Sequence, residues 1–216
     1  MTILIKLVGI GGQGIQFAGG LLGEAAFKQG LNVSQGTNYE PATSGGLTLA
    51  DISIASLEKE ILYPFIEYPD ILVVFAQRGW DMYKHVVDEN TFVIADLDNV
   101  QDLEGAKERT KHIFHLPFSA KARELGSENV TNVIVTGFLA EMLDVGDHFV
   151  VKMLRESHPN DMEEYELLEV SPENFEDSLI DSSPEKFKEL NLQAFRLGYK
   201  MSQELDYDKS DLSVSD

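Results

Sequence analysis

The sequence predicts a single-domain α/β fold: an open, mostly parallel Rossmann-like sheet with helices on both faces. Three observations carry this. Short apolar runs rich in β-branched residues, residues 3–10 and 71–76 (ILVVFA), read as strands buried on both sides. They alternate with longer stretches of helical periodicity, the pattern of a parallel sheet with crossover helices. The first run ends in GIGGQG, Gly9 to Gly14, a G-x-G-x-x-G turn between strand and helix. No repeat or linker divides the 216 residues. The domain is expected over residues 1–205, with the polar stretch 206–216 as a disordered tail.

The elements follow in order. After the strand at 3–10, residues 14–29 read as a helix with Ile15, Ala18, Leu22, Ala25 and Ala26 on one stripe, stopped by Gly30. LNVSQ, 31–35, is a short second strand, followed by a glycine- and threonine-rich loop, 36–46. In the strand at 47–56 the alternation slips near Asp51, which suggests a bulge. Strands follow at 71–76, 91–97 and 112–116. Helices are expected at 80–87, 119–125 with Ser119 as cap, 129–143, 148–155, and 184–204 with Ser183 as cap and Pro184 at its first position.

Composition narrows the chemistry. There is no cysteine, so the chain has no disulfide, no thiolate nucleophile and no thiolate to hold an iron–sulfur cluster. A net charge of −20 repels phosphate backbones, so nucleic acid is not an expected partner. No segment approaches the ~20 apolar residues of a membrane helix, and nothing reads as a signal peptide; the expected location is cytoplasmic. Residues 156–185 carry many acids and no Lys or Arg. They read as a solvated surface excursion, or as a docking face for a basic partner or an adaptation to high salt. The cluster Tyr63, Pro64, Phe65, Ile66 and Tyr68 is too apolar for an ordinary loop and predicts an exposed patch and an obligate partner.

The glycine turn invites a dinucleotide. Gly9 gives the tight exit from the strand, Gly11 a close backbone approach, and Gly14 room for the helix on the sheet. A full dinucleotide site also needs an acid ~20 residues on, at the end of the second strand. Ser34-Gln35 stand there instead, and no Lys or Arg lies between Lys28 and Lys59 to read a 2′-phosphate. The second glycine-rich loop, ending Thr43-Ser44-Gly45-Gly46, is expected beside GIGGQG, as an anion-binding wall or as a plain connection. Tyr39 and Arg78 lie near strand ends. Asp96 and Asp98 are loop caps or a metal pair. His112 and His115 face opposite ways and form no metal pair. Asn132 either bridges a helix–sheet contact or is an ordinary amide. No catalytic residue and no metal site is assigned.

The motifs GIGGQG, YEPATSGG, YPDILVV, NVIVTGFLAEML and ELNLQAFRLGYK occur in this order. The chain resembles the gamma subunit, or gamma domain, of 2-oxoacid:ferredoxin oxidoreductases, with the 2-oxoglutarate branch favoured over pyruvate or ketoisovalerate. Gly11, Gly12, Gln13 and Gly14 match the family's GGQG; Gly45 and Gly46 match its RGG; Asn191, Ala194, Phe195 and Gly198 match its terminal helix. Ala42 and Ser44 stand where the family usually has Glu and Arg, and 156–185 reads as an acidic insertion.

The resemblance implies a CoA-dependent oxidative decarboxylation of a 2-oxoacid to acyl-CoA, CO2 and reduced ferredoxin. It places thiamine diphosphate, Mg and iron–sulfur clusters in partner subunits. Alpha and beta subunits are the implied partners, with delta as a further candidate and ferredoxin reached through the holoenzyme. The chain itself then serves CoA binding and assembly, not redox chemistry, with no cofactor bound by it alone. Gly11, Gly12, Gln13, Gly14, Tyr39, Ser44, Gly45 and Gly46 are its candidate CoA-binding residues. The rival readings are a stand-alone Rossmann-type nucleotide-binding oxidoreductase or regulatory domain, and a pure scaffold.

Overall fold

The computed structural model describes residues 2–39, 46–144, 168–205 and 212–213. In chain order they form β1 (Thr2–Ile10), α1 (Ile15–Lys28), β2 (Asn32–Tyr39), β3 (Leu47–Ala55), β4 (Ile71–Val74), α2 (Gln77–Tyr83), β5 (Phe92–Asp96), α3 (Ala106–Arg109), β6 (Ile113–Leu116), α4 (Phe118–Glu124), α5 (Thr131–Leu143), α6 (Pro172–Ser182), α7 (Lys188–Gln203) and β7 (Leu212–Ser213). The sheet order is β2-β3-β1-β4-β5-β6-β7. From β1 through β4, β5 and β6 to β7 all pairs are parallel, whereas β3 runs antiparallel to both β1 and β2. The predicted α/β class holds.

Side chains alternate between two cores. Ile3, Ile5 and Leu7 of β1 pack with α1, α4, α5, α6 and α7 on one face. Val8 packs with Leu72, Val74, Trp80 and Ala106 on the face that carries α2 and α3. All thirteen residues of α5 are buried, because the sheet lies on one side and α7 on the other. At that second contact the helices touch backbone to backbone. A Cβ on Gly198 would lie 1.8 Å from the Ile134 carbonyl oxygen, and one on Gly137 2.0 Å from that of Phe195. Beside the crossing, Ser202 donates to the buried Glu141 and the Tyr199 hydroxyl to Asp144, both at 2.6 Å.

Several expectations change. The second strand runs on through Gly36 to Tyr39 and forms a hairpin with β3, so the first four residues of the expected 36–46 loop are strand. β3 has no bulge: its register against β1 is unbroken from Leu47 to Ala55. The slip at Asp51 has another cause. Asp51 sits opposite Lys6, and the two form a buried ion pair at 2.6 Å, each residue 4 % exposed. The polar residue faces the interior because its partner does.

Ser119 lies inside α4 rather than capping it, since its hydroxyl donates to Asp96 and Pro117 takes the cap position. Ser183 ends α6 and accepts a hydrogen bond from Asn191; a 3-10 turn, Glu185–Phe187, precedes α7. Part of the acidic stretch is not a surface excursion. Pro172–Ser182 form α6, which starts with proline in its first turn and buries Phe175 and Leu179 against the core. Leu212–Ser213 of the expected tail pair with β6. The helix expected at 148–155 and the acidic residues 156–167 lie outside the described residues.

Candidate functional site at the glycine turn

The connection after β1 leads through α1 towards β2 and β3, while the connection after β4 leads through α2 towards β5. The two helices lie on opposite faces, so β1 and β4 part at their carboxyl ends. Open α/β sheets bind their ligands in such a crevice. GIGGQG stands on its edge.

Each residue of the turn has a distinct task. Gly14 takes the left-handed conformation, φ +71, as it enters α1. A side chain there would strike Asn132 of α5, whose Nδ2 donates to the Gly14 carbonyl at 3.1 Å. Gly14 thus makes room for α5 rather than for the sheet, and Asn132 bridges α5 to the cap of α1 instead of the helix–sheet contact offered by the sequence. Its Oδ1 is buried without a hydrogen-bond partner among the described residues.

Gln13, the expected ligand-binding side chain, is a structural clamp. Its Oε1 accepts from the Ile10 N–H and its Nε2 donates to the Phe75 carbonyl, both at 2.8 Å. The carboxamide therefore ties the end of β1 to the end of β4 and sets the width of the crevice. The Gly11 N–H donates to the Gly46 carbonyl at 3.2 Å, and the Gln13 N–H to that of Ile10. Those two backbone donors are spent inside the protein. The donors offered to an anion are the first N–H groups of α1, which have no acceptor within the helix.

Among the described residues, open space lies over Gly11 and Gly12: a Cβ on either would meet none of their heavy atoms within 4 Å. Two hollows flank them. One, of about 440 Å³, is lined by Gly11, Gly12, Phe17, Tyr39 and Thr48. It gathers the candidates Gly11, Gly12, Gly14 and Tyr39, and the Gly11–Gly46 bond brings Gly46 alongside. Ser44 and Gly45 lie outside the described residues. The other, of about 270 Å³, opens between Gly12, Gln13 and Phe75 on one side and Asn99, Ser119 and Thr131 on the other.

Sequence reasoning missed the polar wall of this second hollow. Its residues come from three connections and meet only in space. Asp96, 2 % exposed, organises them by accepting from the Ser119 N–H, the Ser119 hydroxyl and the Asn99 amide. Asp98 accepts from the Ala120 N–H and the Arg123 guanidinium. Both aspartates hold the start of α4, as loop caps do. Among the described residues no three acidic or histidine side chains converge as a metal site. His112 stacks on Phe92, and burial lowers its pKa; His115 contacts the Val100 carbonyl.

The profile of the pyruvate ferredoxin/flavodoxin oxidoreductase family matches residues 4–201. The chain belongs to this family. It is 30% identical over 203 residues to the 2-oxoglutarate synthase subunit KorC of Methanocaldococcus jannaschii, covering 93% of this chain and 94% of the relative. The KorC subunit of Archaeoglobus fulgidus is 30% identical, with 91% and 86% covered. The fold matches the gamma subunit of a keto/oxoacid ferredoxin oxidoreductase from Geobacter sulfurreducens with TM-score 0.70 at 23% identity, over 94% of this chain and 99% of that one. It also matches part of the 2-oxoglutarate:ferredoxin oxidoreductase of Magnetococcus marinus, solved with 2-oxoglutarate, coenzyme A and succinyl-CoA bound. There the TM-score is 0.76 at 18% identity, over 96% of this chain and 32% of that one.

The turn lacks the ribose-reading geometry of a dinucleotide site. β3 separates β1 from β2. The end of β2, which carries the ribose-binding acid in a dinucleotide site, therefore stands two strand spacings, about 10 Å, from β1 instead of one. Tyr39, not an acid, ends β2. Among the described residues, no helix is long and apolar enough to cross a membrane.

Proposed function

We propose that the chain is the gamma subunit of a CoA-dependent 2-oxoacid:ferredoxin oxidoreductase, with 2-oxoglutarate as the favoured substrate, and that the face of the turn around Gly11 and Gly12 carries CoA. In the overall reaction the bond between the carboxylate and the keto carbon breaks and CO2 leaves. The acyl carbon is oxidised to a thioester with the CoA sulfur, and the electron pair passes to ferredoxin. Without cysteine this chain holds no cluster for that pair. Thiamine diphosphate, Mg and iron–sulfur clusters are assigned to alpha and beta subunits, with a delta subunit as a further candidate, and the enzyme is assigned to the cytoplasm.

The observation that carries the CoA assignment is the space over Gly11 and Gly12 at the start of α1, empty among the described residues. It lets a bulky diphosphate approach the backbone, and the helix terminus favours its charge. Tyr39 and Gly46 extend the same wall, and Ser44 and Gly45 are assigned to CoA on the sequence alone. Gln13 acts by setting the crevice. With no basic residue between Lys28 and Lys59, cations for the phosphates come from partner subunits.

Gly11→Ala in the assembled enzyme tests this. The apparent KM for CoA is expected to rise about tenfold, equivalent to ~1.4 kcal/mol, while the 2-oxoacid KM stays unchanged. If both constants stay at their wild-type values, CoA passes elsewhere and the scaffold reading stands. Turnover of 2-oxoglutarate and CoA by the pure isolated chain would overturn the non-redox assignment.

A further inference from the structure

The side of the sheet that carries α2 and α3 changes character at β2 and β3. There the cover is the irregular segment 57–68, which connects β3 towards β4. Its Pro64 and Phe65 lie so close over Gly36 that a Cβ on that glycine would strike the Pro64 carbonyl. Of the predicted apolar cluster, Ile66 is 7 % exposed and packs inward, and Pro64 is half-buried. The others point out: Leu62 is 83 % exposed, Tyr63 68 %, Tyr68 61 % and Phe65 47 %.

These side chains stand on a pinned backbone. At the start, Asn32 Nδ2 donates to the carbonyls of Leu57 and Lys59. In the middle, the Ile66 N–H donates at 3.0 Å to Asp51, the carboxylate already held by buried Lys6. Just past the end, Asp70 and Leu4 exchange two hydrogen bonds of 2.7 and 2.8 Å. Tyr63 and Phe65 meet edge to face at 5.6 Å. Large apolar side chains held outward in one conformation lose little entropy on binding, and tyrosine is enriched among the residues that dominate protein interfaces.

The charge around them selects the occupant. Glu58, Glu60 and Glu67 are exposed along the segment against a single lysine, Lys59. A second copy of this chain, itself at net charge −20, would bring like rims together. We propose that segment 57–68 is the docking platform for a different subunit of the enzyme, one presenting an apolar patch bordered by Lys or Arg. This rests on the reading that the chain works within a multi-subunit oxidoreductase.

The test uses the co-expressed complex with a photo-crosslinking amino acid in place of Leu62. Irradiation is expected to join this chain to a different subunit at a peptide rich in Lys or Arg. A crosslink to a second copy of this chain, to an acidic peptide, or to nothing overturns the proposal. Tyr63→Ser with Phe65→Ser is expected to weaken retention of the chain in the complex by at least about thirtyfold in Kd. Circular dichroism and the Tm of the isolated chain are expected to stay unchanged. If the variant folds and assembles like the wild type, the platform is not the interface. Activity towards 2-oxoacids is read separately: a crosslinked complex inactive on every 2-oxoacid refutes the function and leaves the platform intact.

Discussion

The α5–α7 crossing and the turn after β1 both depend on glycine, for opposite reasons. At the crossing the missing side chain is replaced by protein: carbonyl oxygens of the facing helix stand 1.8 and 2.0 Å from where a Cβ would be. At Gly11 and Gly12 nothing among the described residues stands within 4 Å. The first pair of glycines is architecture. The second pair leaves a space that the isolated fold does not need, at the end of the sheet where α/β proteins bind ligands. Within the turn itself the division recurs, since Gly14 is filled by Asn132. Identical residues in one motif thus divide into packing and access.

Substitutions sharpen this contrast. The largest effect is expected for Gly198→Ala. The methyl group must push two helices apart, which costs about 3 kcal/mol or more. That corresponds to a Tm roughly 6–12 °C lower by calorimetry. A Tm within a degree of wild type would mean that the close crossing does not exist.

Next is Gln13→Leu, similar in size but without hydrogen bonds. It leaves the Ile10 N–H and the Phe75 carbonyl unpaired, for about 2 kcal/mol. The clamp account further requires that the KM for CoA and kcat change together in the assembled enzyme. A change in stability alone would reduce Gln13 to a purely structural tie.

Gly12→Ala comes third. With φ +95 at Gly12, alanine is forced into a left-handed conformation, costing about 1–2 kcal/mol. Gly11 has no such constraint, so Gly11→Ala is expected to leave the Tm nearly unchanged while raising the KM for CoA. Equal loss of stability in the two alanine variants would break the distinction between access and strain.

The smallest effect lies at the crossing. Burial, and then the Asp144 carboxylate, raise the pKa of Tyr199 above its usual value of 10.0. The unfolded chain releases this proton near pH 10 and the folded chain holds it. The stability from this hydroxyl is therefore complete below pH 10 and declines as the pH rises above it. Tyr199→Phe is expected to flatten that decline in denaturant titrations between pH 9 and about 11. An unchanged slope would show that the Tyr199–Asp144 bond does not form in solution.

Much of this was legible in the chain. The apolar runs at β1, β4 and β5 and the stripe of α1 report their own burial, so these elements stand within a few residues of expectation. The β2–β3 hairpin was only half legible. NVSQGTNY lies at the sheet edge, little buried and without alternation, and only pairing with the strand that follows makes it a strand. α6 was hidden by its acids, although Ser171-Pro172 with Phe175 and Leu179 four apart carried its signal. In the site, the glycine turn was visible as a motif. The roles of its residues were not, because they depend on Asn132, Phe75 and Gly46, up to 118 positions away. Of the Asp96–Ser119–Asn99 wall only the capping aspartate was legible, because Ser119 lies 23 positions from Asp96.

During folding, the Lys6–Asp51 pair acts on wrong sheets more than on the right one. β1 and β3 are otherwise runs of similar aliphatic residues, and a slip of two positions would keep every apolar side chain on its proper face. Such a slip would set Lys6 against Leu49 or Ser53 and strand two opposite charges apart in the interior, at a cost of several kcal/mol. A misaligned β1–β3 pairing is therefore less stable than the native register. The pair works as a proofreading mark, admitting one alignment among several that hydrophobicity alone would accept.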